Sequence, residues 1–241
     1  MREILGRRRR LRRGTRPAPL DAVLTCATAW QWPVLPGVGL EAAGGRAGRG
    51  RGCACPDPDC VVPGAHPFDP GLLAATTDER MVRWWWTNRP TAPILLATGG
   101  RAPCALSLPA VAAARALAEL DRMGVRLGPV VATPTRWSLL VAPYTLEYLG
   151  ELLHAQDRVP SALRFHSEGG YLVLPPSGTG TGQVRWERGP APTSRRGASG
   201  TRGRDRAACD PVPWLPDVGT VLDALVEASN GASDGGSRLA Y

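Results

Sequence analysis

No lysine occurs anywhere in the 241 residues, so all 29 basic side chains are arginine. Beside abundant Ala, Gly and Pro, that absence reads first as a GC-rich coding bias, and each arginine cluster has to be weighed against it. Also missing is any run near about 18 consecutive apolar residues, so no transmembrane helix is expected. The basic N-terminus is followed by no apolar segment, which argues against a secretory signal and leaves the cytoplasm as the expected compartment. No internal repeat is visible. What the chain does have is 43% hydrophobic residues, enough for one sizeable core or one core plus an appendage.

The positive charge is unevenly placed. Residues 1–16 hold eight Arg and one Glu, a net of +7. Residues 188–206 hold six Arg and Asp205, a net of +5, which leaves −4 for the rest of the chain. The expectation is a disordered basic arm at 1–16 and a low-complexity Gly/Arg/Ser loop at 189–210. Such segments hold phosphates without sequence preference, and a merely solvated tail remains the alternative.

Between those segments the pattern alternates. Helices are expected at Leu20–Trp30, after Thr76, at Val111–Met123, at Thr145–Gln156 and at about Pro216–Ser229. Thr76 and Glu79 have capping-box spacing, with Asp78 suited to the positive end of the helix dipole. The Trp84–Trp86 run on that helix has two readings, core at helical spacing or a stacking platform for bases. Strands are expected at Pro33–Leu35, Ile94–Thr98, Cys104–Leu108, Val130–Thr133, Trp137–Ala142, Leu163–His166, Tyr171–Leu174 and Val184–Glu187. Pro109 stands where a first helical residue can stand. This alternation argues an α/β or α+β domain. The expected division is a domain at 17–188, a C-terminal helix at 211–230 and a tail at 231–241.

Three of the six Cys fall within eight residues, at Cys53, Cys55 and Cys60, and His66 follows. In a reducing compartment clustered Cys and His read as metal ligands more readily than as disulfides. Three thiolates and one imidazole satisfy tetrahedral zinc. The C-x-C-x4-C-x5-H spacing lacks the common C-x2-C pair, so three reduced thiols and a loop His remain the alternative. Cys26 and Cys104 lie in apolar elements and read as small buried hydrophobes, while Cys209 is isolated.

Several short motifs then follow in order. A knuckle at 53–66 ends in Cys60-x3-Gly64-x-His66-Pro67. After it come Ala75-Thr76-Thr77-Asp78, Trp84-Trp85, Arg89-Pro90, Ala97-Thr98-Gly99, Thr133-Pro134 and the run from Gly169-Gly170-Tyr171 to Pro175-Pro176-Ser177. The ordered set, over about residues 20–188, resembles the N-terminal domain of bifunctional DNA primase/polymerases, of the archaeo-eukaryotic primase type. The resemblance implies an α+β primase-polymerase core, with an RRM-like antiparallel sheet flanked by helices, plus the zinc knuckle. It also implies a metal cluster for nucleotidyl transfer. Two Asp one residue apart on one strand and a third on a facing strand would hold two divalent ions, and a histidine would contact the nucleotide phosphates.

The chain departs from that pattern at each slot. Ser107 and Pro109 occupy the two Asp positions, Trp137 falls near the histidine position, and Arg164 takes the third acidic position. A shift in alignment supplies no carboxylate, because no acid lies between Arg101 and Arg115 or between Pro160 and Ser167. Neutral or cationic groups there do not balance a divalent pair, so no catalytic magnesium or manganese is expected. Arg136, Arg164, His166 and Ser177 remain as candidates to bind nucleotide or phosphate; ordinary strand charge is the alternative for the two arginines. Three functions follow. One is a non-catalytic nucleic-acid or nucleotide-binding protein on this scaffold. The second is an active enzyme using displaced acids such as Glu119, Asp121 or Glu168, and the third is a protein-interaction module. No membrane partner is expected.

Overall fold

The computed structural model describes residues 19–41, 52–191 and 212–230. The arm at 1–16, the tail at 231–241, most of the 189–210 loop and Cys209 lie outside the described residues.

The chain enters through α1 (Pro19–Leu24), which runs on as a π turn at Thr25–Ala29 and buries Val23, Cys26 and Ala27. Strand β1 (Val34–Pro36) follows, then α2 (Glu79–Asn88), β2 (Ile94–Ala97), β3 (Cys104–Pro109) and α3 (Ala110–Arg122). Next come β4 (Val130–Ala132), β5 (Arg136–Val141), α4 (Leu146–His154) and β6 (Arg164–His166). Strands β7 (Tyr171–Leu174), β8 (Ser177–Thr179) and β9 (Gly182–Arg188) lead to α5 (Val218–Asn230). Among the described strands, only β8 went unread in the sequence, because Ser-Gly-Thr carries no apolar alternation.

Helix α2 is capped two residues beyond Thr76, the cap of the expected box. Asp78 is the cap: its carboxylate accepts the Met81 N–H at 2.8 Å, and Thr76 Oγ1 accepts the Asp78 N–H at 3.0 Å. A carboxylate at this position satisfies an orphan N–H and meets the positive end of the dipole. At α3 the cap is Pro109, with φ −51°, and the helix begins at Ala110. Proline costs nothing there, since the N–H it lacks would be unsatisfied anyway.

The strands form two antiparallel sheets. The smaller has the order β1-β2-β7, and the larger β6-β3-β5-β4-β9-β8. Together with the five α-helices of the described residues they make a mixed α+β fold. Alternation along the larger sheet divides its side chains cleanly. Cys104, Leu106, Leu108, Val130, Leu139 and Val141 turn to one face, where they pack with α3, Leu149 of α4 and the Val218–Val226 stripe of α5. Ala105, Val131, Leu140 and Val184 turn to the other face and share a second core with the smaller sheet, α1 and α2. Cys104, Leu106 and Leu108 of β3 therefore join one core and Ala105 the other, while Ser107, on the same face as Ala105, lies beyond the apolar residues of that second core.

Candidate functional site

Strand β3 lies between β6 and β5. Ser107 is directly opposite Arg164 on one side and Ser138 on the other, and Pro109 is opposite Arg136. Ala105 is opposite His166. Residues paired directly across an antiparallel ladder, or two apart on one strand, share a face. Ser107, Ser138, Arg136, Arg164 and His166 therefore cluster on the face away from α3 and α5. Ser107 and Ser138 are buried, Arg136 and His166 half-buried, and Arg164 exposed.

Hydrogen bonds tie the cluster together. Ser107 Oγ lies 3.1 Å from His166 Nε2. The Arg136 guanidinium donates from Nη2 to the carbonyls of Ser107 at 2.8 Å and Ala162 at 2.7 Å, and reaches Ser107 Oγ at 3.3 Å. It thus bridges β3 and the residues leading into β6. Burial, and then the neighbouring Arg164 charge, bring Arg136 down to about 10, which still leaves it cationic at neutral pH. His166 is also pushed down, first by burial and further by Arg136 and Arg164, with a hydrogen bond to the Tyr171 backbone opposing. The cluster is cationic and rich in donors.

Two residues singled out in the sequence lie elsewhere. Trp137 alternates to the opposite face and packs against the core beneath α3 and α5. Strand period places its neighbours Arg136 and Ser138 toward the cluster instead. Ser138 was overlooked, although the same two-residue alternation was available to find it. Ser177 is 4% exposed, and its hydroxyl is already engaged, accepting the Ile94 N–H and donating to the Leu174 carbonyl. That hydroxyl fastens β2 to the start of β8.

The acids considered as substitutes are also placed. Glu119 and Asp121 lie on α3, which packs against the far face of the sheet, and they pair with Arg122 and Arg188. Glu168 lies in the turn after β6, where its Cα would stand 2.3 Å from a Cβ added at Gly99. Gly99, with φ +93°, is required by that approach.

The second site is the knuckle. One ligand atom each from Cys53, Cys55, Cys60 and His66 lies within 4.8 Å of all the others. His66 Nε2 is 3.4 Å from both Cys53 Sγ and Cys60 Sγ. A tetrahedral ion with bonds of about 2.3 Å to sulfur and about 2.0 Å to nitrogen would separate such atoms by about 3.5 Å. The residues present therefore fit a metal such as zinc. His66 Nδ1 lies 3.0 Å from the Pro67 carbonyl, an acceptor that leaves Nε2 for the metal. Burial alone would raise the Cys53 thiol, but the Gly64 N–H and further hydrogen bonds bring it to about 7. Gly64 makes that contact, at 3.2 Å to sulfur, with φ +74°. The Gly180 N–H donates to the Pro63 carbonyl at 2.8 Å, so the knuckle is fastened to the β8–β9 turn. Cys26 and Cys104 are buried, and burial pushes the Cys26 thiol up to about 12.

Two antiparallel sheets that share a core thus carry a polar cluster on the central strands and a Cys3His knuckle, in a mixed α+β domain. The sequence model of the bifunctional DNA primase/polymerase N-terminal family matches residues 23–201, and the chain belongs to that family. No curated protein and no solved structure matches it. Among the described residues, no helix is long and apolar enough to cross a membrane.

Proposed function

We propose that this chain is a primase-polymerase domain that has given up metal-dependent nucleotidyl transfer and retains a binding role toward nucleic acid or nucleotide. One observation carries the reading. At the central strands, where the family resemblance calls for three carboxylates, Ser107 stands between Arg164 and Ser138, with Arg136 and His166 beside it. Two-metal transfer needs carboxylates to hold both ions and balance their charge. A cationic cluster repels such ions and attracts the phosphates they would have served. The working unit on this reading is residues 17–188, with zinc in the 53–66 knuckle as a structural ion. No observation favours the protein-interaction alternative.

Primer extension is the test. With a primed template, all four deoxynucleotides and Mg²⁺ or Mn²⁺, the protein should add no nucleotide above a protein-free control, while the same preparation binds the template in a salt-sensitive manner. Robust extension by the wild-type chain, lost on Glu168→Ala, would make it an active enzyme with a displaced acid.

A further inference from the structure

The knuckle at 53–66 lies against both sheets at once. It forms no helix or strand, and its one ladder contact is the Leu40–Cys53 bridge. On one side it grips the chain that leaves β1, an edge strand of the smaller sheet. The Val38 N–H donates to the His66 carbonyl at 3.0 Å, and the Ala54 N–H to the Gly39 carbonyl at 3.2 Å. The Glu41 N–H donates to the Gly52 carbonyl at 3.0 Å, and a Cβ added at Gly64 would stand 2.9 Å from Leu40 Cδ2. On the other side it holds the turn between β9 and β8, the edge strand of the larger sheet. There the Gly180 N–H donates to the Pro63 carbonyl at 2.8 Å, and a Cβ added at Gly180 would meet Pro63 Cβ at 2.7 Å. One short segment thus ties together edge strands of two different sheets, and four metal ligands close that segment. Its thiols also differ from the others described. Cys53, Cys55 and Cys60 are half-buried, whereas Cys26 and Cys104 are 2% and 0% exposed.

We propose that the Cys53, Cys55 and Cys60 thiols are a site of reversible oxidation by peroxides, and that their oxidation releases the metal and unfastens the β1 edge from the β8–β9 turn. The proposal rests on zinc in the knuckle and goes beyond the ion's structural role. Sulfurs that hold a metal are thiolates, the nucleophilic form. One thiolate attacks a peroxide oxygen: an S–O bond forms, the O–O bond breaks, and the departing hydroxide takes a proton to become water. The knuckle's ligand atoms lie within 4.8 Å of one another, so a second thiolate is within reach of the sulfenic sulfur. Its attack forms an S–S bond and expels a second hydroxide, which also leaves as water. Two sulfurs are oxidised, and one hydrogen peroxide with two protons is reduced to two waters. One thiolate and His66 then remain, short of the four ligands that zinc takes in a structural site. A thiol reductant reverses the sulfur chemistry by exchange.

Treatment of the zinc-loaded full chain with hydrogen peroxide, beside a chromogenic chelator, tests this. Peroxide should release about one equivalent of zinc beyond the chelator-only control. Differential alkylation and peptide mass spectrometry should find the lost thiols within Cys53, Cys55 and Cys60, with Cys26 and Cys104 still reduced. Dithiothreitol and added zinc should restore both the thiols and the metal. Hydrogen exchange should quicken about fivefold or more at Val38, Glu41 and Gly180, whose N–H groups each lose one backbone bond to the knuckle segment. Amides of β3 and β5 should keep their protection. Zinc retained while the thiols are lost, oxidation that reaches Cys26 and Cys104 equally, or a release that reductant and zinc do not reverse would overturn the proposal. Unchanged exchange at Val38, Glu41 and Gly180 after zinc release would cut the link to the sheet edges and overturn it likewise. A zinc-loaded chain indifferent to peroxide loses this inference and keeps the structural ion. A chain that binds no zinc at all loses both.

Discussion

Four side chains at the knuckle carry most of the chemistry that single residues can be tested for. Cys53, Cys55, Cys60 and His66 converge in a segment with little regular structure, so few other interactions hold them together. Bound metal would supply the missing enthalpy, and folding of the knuckle and metal binding would then be one event. Purified protein should therefore release about one equivalent of zinc on thiol modification, read with a chromogenic chelator. Cys60→Ser or His66→Ala should lower the metal content severalfold, whereas Asp59→Asn should not. A metal-free preparation with an unchanged melting curve would remove zinc from the account. The spacing of these four residues was legible because all lie within fourteen positions, so little chain entropy separates the pattern from the site. The cationic cluster is different. Its members come from three strands, and only their pairing showed that Ser107, Arg136 and His166 touch while Trp137 and Ser177 stand apart.

Among the elements, α2 shows how far periodicity reaches. Three consecutive Trp cannot all face one way on a helix turning 100° per residue. Trp85 and Trp86 are 6% and 1% exposed and lie in the core with Val82, while Trp84 is 62% exposed beside Met81. Trp86 also donates from Nε1 to the Ala92 carbonyl at 3.2 Å, which satisfies its one polar atom inside the core. Trp86→Ala should accordingly cost about 3–5 kcal/mol in urea denaturation, and Trp84→Ala no more than about 0.5 kcal/mol. Equal losses would contradict the packing described for α2. Trp84→Ala also tests base stacking, since a platform residue would cost DNA affinity without costing stability. Helix and strand positions elsewhere followed the sequence closely, because apolar spacing along α3 matches the face it buries; on α4 only Leu149 is buried, and Leu146 is exposed. Strand β8 did not, since it is held by Ser177 and by pairing with β9 and not by an apolar face of its own.

Along the whole chain, the net positive charge is concentrated in two segments of the sequence. Residues 1–16 bring a net of +7, against −4 for the chain outside the two basic segments. If the arm contacts phosphates, deleting residues 1–16 should leave the melting temperature unchanged and lower DNA affinity, with a shallower dependence of log K on log salt. Unchanged affinity and slope, measured by fluorescence anisotropy between low and moderate salt, would assign the arginines to coding bias alone. Most element positions and the clustering of the four knuckle residues were determined by sequence, because each rests on local periodicity or on residues close along the chain; the alternation left α/β or α+β open, and the ordered motifs over about 20–188 pointed to the family and its α+β core. Tertiary structure alone decided which face of β3 and β5 each residue takes and that Arg136 reaches across to the Ser107 and Ala162 carbonyls. It also set Glu119 and Asp121 on the far side of the sheet from Ser107. Strand register joins residues far apart in sequence, as in the Ser107–His166 contact across 59 positions, and a one-residue slip in that register would turn every side chain to the other face.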